Sequence, residues 1–105
     1  MFEIKENHRV VDHEKVTTYS RKVVGANILE VEAGTTGFCG GDGGHGGRTY
    51  FRVNDLAGTA IDALAIDGGR GFEVALAGDS ELETIVTALR FITQVLEEEL
   101  LEVRR

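Results

Sequence analysis

The chain has 105 residues, a formal net charge of −7, a 42% apolar fraction, one cysteine and no proline. That length suits a single folded domain, and that apolar content excludes wholesale disorder. One cysteine cannot form an intrachain disulfide, apolar runs of a few residues do not span a membrane, and the acidity disfavours general nucleic-acid binding.

The segment Met1-Phe2-Glu3-Ile4-Lys5-Glu6 lacks a basic stretch followed by an apolar block, so no secretory signal is expected and a cytoplasmic location is. Residues 1–13 are largely polar, with Val10-Val11 the only apolar pair between Ile4 and Val16, and read as an N-terminal arm or edge strand preceding a domain over 14–105. Val16, Thr17, Thr18 and Tyr19 predict one strand. Residues 23–31 predict a second, with Gly25 as a bulge or kink. Glu30 and Glu32 alternate with Leu29 and Val31 and are assigned to an exposed strand face.

Residues 34–47 form a glycine-rich loop, and residues 48–54 alternate as a strand. Thr49, Phe51 and Val53 share one face; Arg48, Tyr50 and Arg52 share the other. Residues 54–58 carry a turn signal, 59–67 read as a strand, and 67–71 as a tight connection. Phe72, Val74 and Leu76 are expected to point inward from a further strand. The sheet is predicted as an antiparallel meander of four or five strands.

Residues 80–105 predict one long helix, opened by a Ser80/Glu83 capping box. Leu82, Ile85, Val86, Leu89, Ile92 or Thr93, Leu96 and Leu100 form the expected core stripe. Ala88, Phe91 and Val95 form a second apolar edge, which is assigned to another subunit. The fold class is therefore α+β: an antiparallel sheet packed by one long C-terminal helix, in a homo-oligomer assembled through that helix.

Chemistry concentrates in the glycine-rich stretch. Gly40, Gly41, Gly43, Gly44, Gly46 and Gly47, interleaved with Asp42 and His45, suggest backbone amides turned toward an anion. Arg48 and Arg52 are candidate counter-charges, Tyr50 and Phe38 candidate stacking surfaces, and His45 an orienting donor. The pattern is neither a P-loop nor a dinucleotide-binding fingerprint, and a mobile hairpin tip is the bland alternative. Cys39, Asp42 and His45 lack the paired spacing of a zinc site, so no metal and no cofactor is expected. Cys39 as a nucleophile lacks a base that the sequence can position. His8 and His13 read as surface residues. Arg21-Lys22 is the one basic pair upstream of the loop, and Glu97-Glu98-Glu99 reads as a solvated helix stretch.

The run Thr35-Thr36-Gly37-Phe38-Cys39-Gly40-Gly41-Asp42-Gly43-Gly44-His45-Gly46-Gly47-Arg48-Thr49-Tyr50-Phe51 resembles the core of a family of small proteins from Gram-positive bacteria and their phages. The likeness extends loosely over residues 22–96 and implies no catalytic residue. In size and kind the chain is also similar to phage anti-defence proteins that sequester nucleotide immune signals, such as the Thoeris anti-defence group. That similarity implies a compact homo-oligomer that binds a nucleotide-like small molecule without cutting it. The expected function is non-enzymatic sequestration of a phosphate-containing small molecule in a bacterial host cell. A protein–protein inhibitor of a host enzyme and a small phosphodiester-cleaving enzyme, with His45 as acid–base and Arg48 stabilising charge, are the alternatives.

Overall fold

The computed structural model describes residues 4–25, 27–56 and 61–104, and its fold is α+β. Strands β1 (Lys5–Val11), β2 (Glu14–Val24), β3 (Ile28–Thr35) and β4 (Thr49–Asp55) form one antiparallel sheet in sequential order. Strands β5 (Ile61–Ile66) and β6 (Gly71–Leu76) form a separate two-stranded sheet, and helix α1 spans Asp79–Arg104. The single meander expected from sequence is thus two sheets.

Residues 5–11 are a fully paired edge strand, with Lys5 opposite Ser20 and Val11 opposite Glu14. Asp12 and His13 close this hairpin with φ of 53° and 70°, the left-handed pair that a two-residue turn demands. Strand β2 runs unbroken across the gap predicted between residues 19 and 23. Gly25 lies in the β2–β3 turn and is no bulge. A side chain there would sit 2.8 Å from Thr84 Cγ2 and 2.9 Å from Ser80 Oγ, so the turn abuts the start of α1. Asn27, in the same turn, is buried with its Oδ1 2.9 Å from Thr84 Oγ1.

The predicted turn over 54–58 and the first residues of the predicted 59–67 strand lie partly outside the described residues. Leu56, within them, donates its amide to Ile28 O at 2.9 Å. Asp67, Gly68 and Gly69 turn β5 into β6 with φ of 56°, 67° and 87°. The hairpin is not a core element: Phe72 is 63% exposed and Val74 40%. Alternation set their common face correctly, and it turns toward Phe51, Val53, Ile85 and Leu89, but across an open cleft, so the burial expected for these two residues is not reached.

Helix α1 begins at Asp79, one residue before the predicted start, and Leu82 donates to Gly78 O at 3.1 Å. Its 26 residues rise about 39 Å. The core lies between α1 and the middle of the sheet. Ala88, Phe91, Ile92 and Val95 pack on Val23, Leu29, Val31 and Ala33. The edge given to another subunit meets the sheet, and so does part of the expected core stripe, since Ile92 is buried there and Ile85 and Leu96 pack against it. Leu82 and Leu89, placed in the core stripe, are 63% and 50% exposed. Both stripes have helical spacing, so periodicity alone does not choose between them. Small Ala88 beside Phe91 lets the helix settle close to β3, where Ala33 is equally small.

Candidate functional site

The glycine-rich segment is the connection between β3 and β4, which pair up to Thr35 opposite Thr49. Its base is tied by reciprocal bonds. Thr36 N donates to Arg48 O at 3.0 Å, Arg48 N donates to Thr36 Oγ1 at 2.8 Å, and Gly37 N donates to Thr35 Oγ1 at 3.1 Å. Thr35 Oγ1 and Thr49 Oγ1 lie 2.9 Å apart.

Above this base the backbone folds onto itself. A Cβ on Gly46 would lie 2.6 Å from Gly41 O, and one on Gly47 would collide with Gly37 O. His45 N donates to Asp42 O at 3.2 Å, closing a turn at the tip. Gly40, Gly43 and Gly44 differ from the pinched glycines. Their φ values of 82°, 58° and 101° are positive, and nothing lies within 4 Å of where a side chain would start. Their amides make no hydrogen bond to another described residue. The loop thus combines a closed neck with an open, donor-rich tip, the arrangement of backbone anion-binding concavities.

The loop and the far end of α1 bound a cleft of about 660 Å³, a volume within the range of small-molecule sites. Phe38, Cys39, Asp42, His45, Leu96 and Leu100 contribute to its walls, along with the loop glycines. Leu96 and Leu100 were legible only as core positions of the helix. Phe38, 57% exposed, presents a ring at the rim. Cys39 is a free, exposed thiol whose Sγ lies 3.6 Å from Thr36 Oγ1. Among the described residues no group of three His, Cys, Asp or Glu side chains is placed to hold a metal ion.

The structure does not bring Arg48, Tyr50 or Arg52 into this cleft. The Arg48 side chain is 16% exposed; its Nη1 donates to Gly46 O at 2.8 Å, and it forms ion pairs with Glu14 at 3.4 Å and Asp12 at 3.7 Å. It therefore braces the loop neck against the β1–β2 turn. Arg52 pairs with Glu30 at 3.6 Å across the β3–β4 ladder. Tyr50 lies beneath the Arg9 guanidinium, 5.3 Å from ring centroid to Cζ. Arg21 turns to the helix side, 5.9 Å from the Phe91 ring, and so does not join Arg48.

Strand register explains this second polar cluster. Asn7, Arg9, Thr18, Ser20, Glu32, Tyr50 and Arg52 all fall on the sheet face away from α1. Glu32, expected on an exposed face, is 3% exposed. Arg9 grips it through two bonds, Nε to Oε2 at 2.7 Å and Nη2 to Oε1 at 2.5 Å, and Thr18 Oγ1 donates at 2.5 Å. Chiefly through the Arg9 bonds, and against the effect of burial, the Glu32 carboxyl is held below the usual carboxylate range. Asn7 Nδ2 donates to Ser20 Oγ at 3.0 Å on the same face. Each hydrogen-bonded group in this cluster has an internal partner, so it reads as a structural network.

Compared with known proteins, the chain matches no family model, no curated protein and no solved structure. Among the described residues, no helix is long and apolar enough to cross a membrane.

Proposed function

We propose that the chain binds a phosphate-bearing small molecule, of nucleotide or ADP-ribose type, in the cleft between the glycine-rich loop and the end of α1. One observation carries the reading. Gly40, Gly43 and Gly44 present amides with no partner among the described residues, at the open tip of a loop whose neck is closed by backbone packing. Ordering so many glycines opposes folding, and this order is supported by a preformed concavity rather than by burial. The loop amides would take the phosphate oxygens, His45 would add a donor, and the exposed Phe38 ring would cover the base or sugar.

The geometry changes the part assigned to two arginines. Arg48 acts as a brace on Gly46 O, and Arg52 belongs to the Glu30 pair, so neither is a direct ligand contact in this account. Anion binding then rests on oriented peptide dipoles, as it does in other phosphate nests.

The activity is binding without turnover. The cleft offers His45 and Cys39, but among the described residues neither side chain is hydrogen-bonded to a base, an acid or an orienting carboxylate, as covalent or acid–base catalysis requires. In the biological setting implied by the sequence resemblance, the chain would work in the cytoplasm of a bacterial host cell and withhold a nucleotide signal from its receptor. Native mass spectrometry of the protein as purified from cells tests this. A labile adduct of nucleotide size supports it. A bare chain that also gains no mass with added ADP-ribose or adenine nucleotides contradicts it.

A further inference from the structure

Acidic residues outnumber basic ones 18 to 11 in this chain, so carboxylate partners for a cation are plentiful. Arg9, Arg48, Arg52 and Arg70 each pair with one. Arg21 and Arg90 form no ion pair among the described residues, and both line the same cleft, of about 480 Å³, between the end of β2 and the first half of α1.

Arg21 stands on the α1 face of β2, opposite Val31 in the register, with its Cζ 5.9 Å from the centre of the Phe91 ring. That cation–π distance holds the guanidinium half-buried. Its Nε is enclosed and has no hydrogen-bond partner among the described residues. Arg90 lines the cleft from α1. Two like charges in one wall repel, and a half-buried cation is costly until it is paired.

The rest of the wall supplies no balance within the chain. Thr84 Oγ1 donates to Asn27 Oδ1 at 2.9 Å and Thr87 Oγ1 to Glu83 O at 3.1 Å, so both hydroxyl hydrogens are in use. Glu83 is the one carboxylate lining the cleft, which leaves the wall with a surplus of one positive charge. Val24, Leu82 and Val86 add aliphatic surface beside the two arginines.

We infer that this cleft binds a small organic monoanion, a carboxylate on an aliphatic body, with Arg21 and Arg90 holding its head. The guanidinium fork matches the two oxygens of a carboxylate, and arginine is weakly hydrated enough to exchange water for such a partner. A surplus of one charge suits a single carboxylate better than a phosphate monoester, which carries about −1.5 to −2 at pH 7. The inference is independent of the loop ligand, because the two clefts share no wall residue.

Titration of the nitrogen-15-labelled full chain with sodium hexanoate, read at the arginine Nε–H signals, tests the inference. Saturable shifts are expected at Arg21 and Arg90. Arg90→Gln should weaken hexanoate binding by about tenfold or more, as loss of a charge-assisted bond does, and Lys22→Gln should leave it unchanged. Arg90 is exposed and Lys22 lies on the sheet face away from α1, so neither substitution touches the core. Hexanol, the same chain without the charge, should bind about tenfold more weakly or not at all. Arginine signals unmoved at millimolar hexanoate overturn the inference, whatever the loop amides do with a nucleotide. So do hexanol binding as tight as that of hexanoate, an affinity indifferent to Arg90→Gln, and inorganic phosphate that binds these arginines more tightly than hexanoate.

Discussion

Gly41 and Gly46 cross so closely that a Cβ on Gly41 would lie 2.9 Å from the Gly46 amide nitrogen, and one on Gly46 would lie 2.6 Å from Gly41 O. The loop is therefore held by backbone against backbone, and its tip is left free to present donors. This crossing separates glycines that shape the loop from glycines that face outward.

Substitution distinguishes the two kinds. Gly46→Ala adds a steric collision to a φ of +86°, whereas Gly43→Ala meets open space and only the left-handed backbone penalty of about 1–2 kcal/mol. Thermal unfolding should show a larger loss for Gly46→Ala than for Gly43→Ala. Amide spectra should move across the whole loop for the first and near residue 43 alone for the second.

Arg48 carries a related expectation. Arg48→Ala removes the bond to Gly46 O and the ion pairs to Asp12 and Glu14, while leaving the backbone bonds of the neck in place. Faster amide hydrogen exchange is predicted for residues 44–47, with weaker binding of any loop ligand and no change in the core around Phe91. Arg48→Lys keeps the charge but not the forked geometry and should rescue only part of the protection.

The Arg9–Glu32 pair predicts an acid response. Glu32 has its carboxyl pKa lowered by the Arg9 hydrogen bonds, so the folded protein binds its proton later than the unfolded chain does. Its stabilisation is present above the ordinary carboxylate range, near pH 4, and is lost as pH falls through the lower native value. Glu32→Gln should remove about 2 kcal/mol at neutral pH, a charge-assisted bond's contribution, and flatten stability against pH below about 4. Denaturant midpoints measured from pH 2 to 7 check both statements.

Much of this was legible in the sequence, for reasons that particular residues make plain. The long helix follows from uninterrupted spacing over residues 80–105, and the β4 strand from the alternation of residues 48–54. The loop was marked by glycine density alone. What escaped depends on contacts between distant segments. Glu32 looked solvated because its neighbours alternate with it, and only the pairing of β1 with β2 brings Arg9 across to bury it. The Ala88–Phe91–Val95 edge was missed as core for the same reason, since it satisfies the helical period as well as the stripe beside it, and only packing on the sheet buries Phe91 and leaves Leu89 exposed.

The helix face gives its own check. Phe91→Ala opens a cavity in the core against Val31 and Ala33, and should cost about 3–5 kcal/mol. Gln94→Ala, on the exposed side, should change stability by less than about 0.5 kcal/mol. Equal effects of the two in chemical denaturation would contradict the packing described.

The most direct test of the central claim is an amide-resolved nuclear magnetic resonance titration of the nitrogen-15-labelled protein with ADP-ribose, AMP and inorganic pyrophosphate. The account predicts saturable shifts at Gly40, Gly43, Gly44 and His45 with at least one of these probes, and a silent sheet face around Glu32. Loop amides that stay unmoved at millimolar concentrations of all three, or shifts confined to the Arg9–Glu32 face, would contradict it.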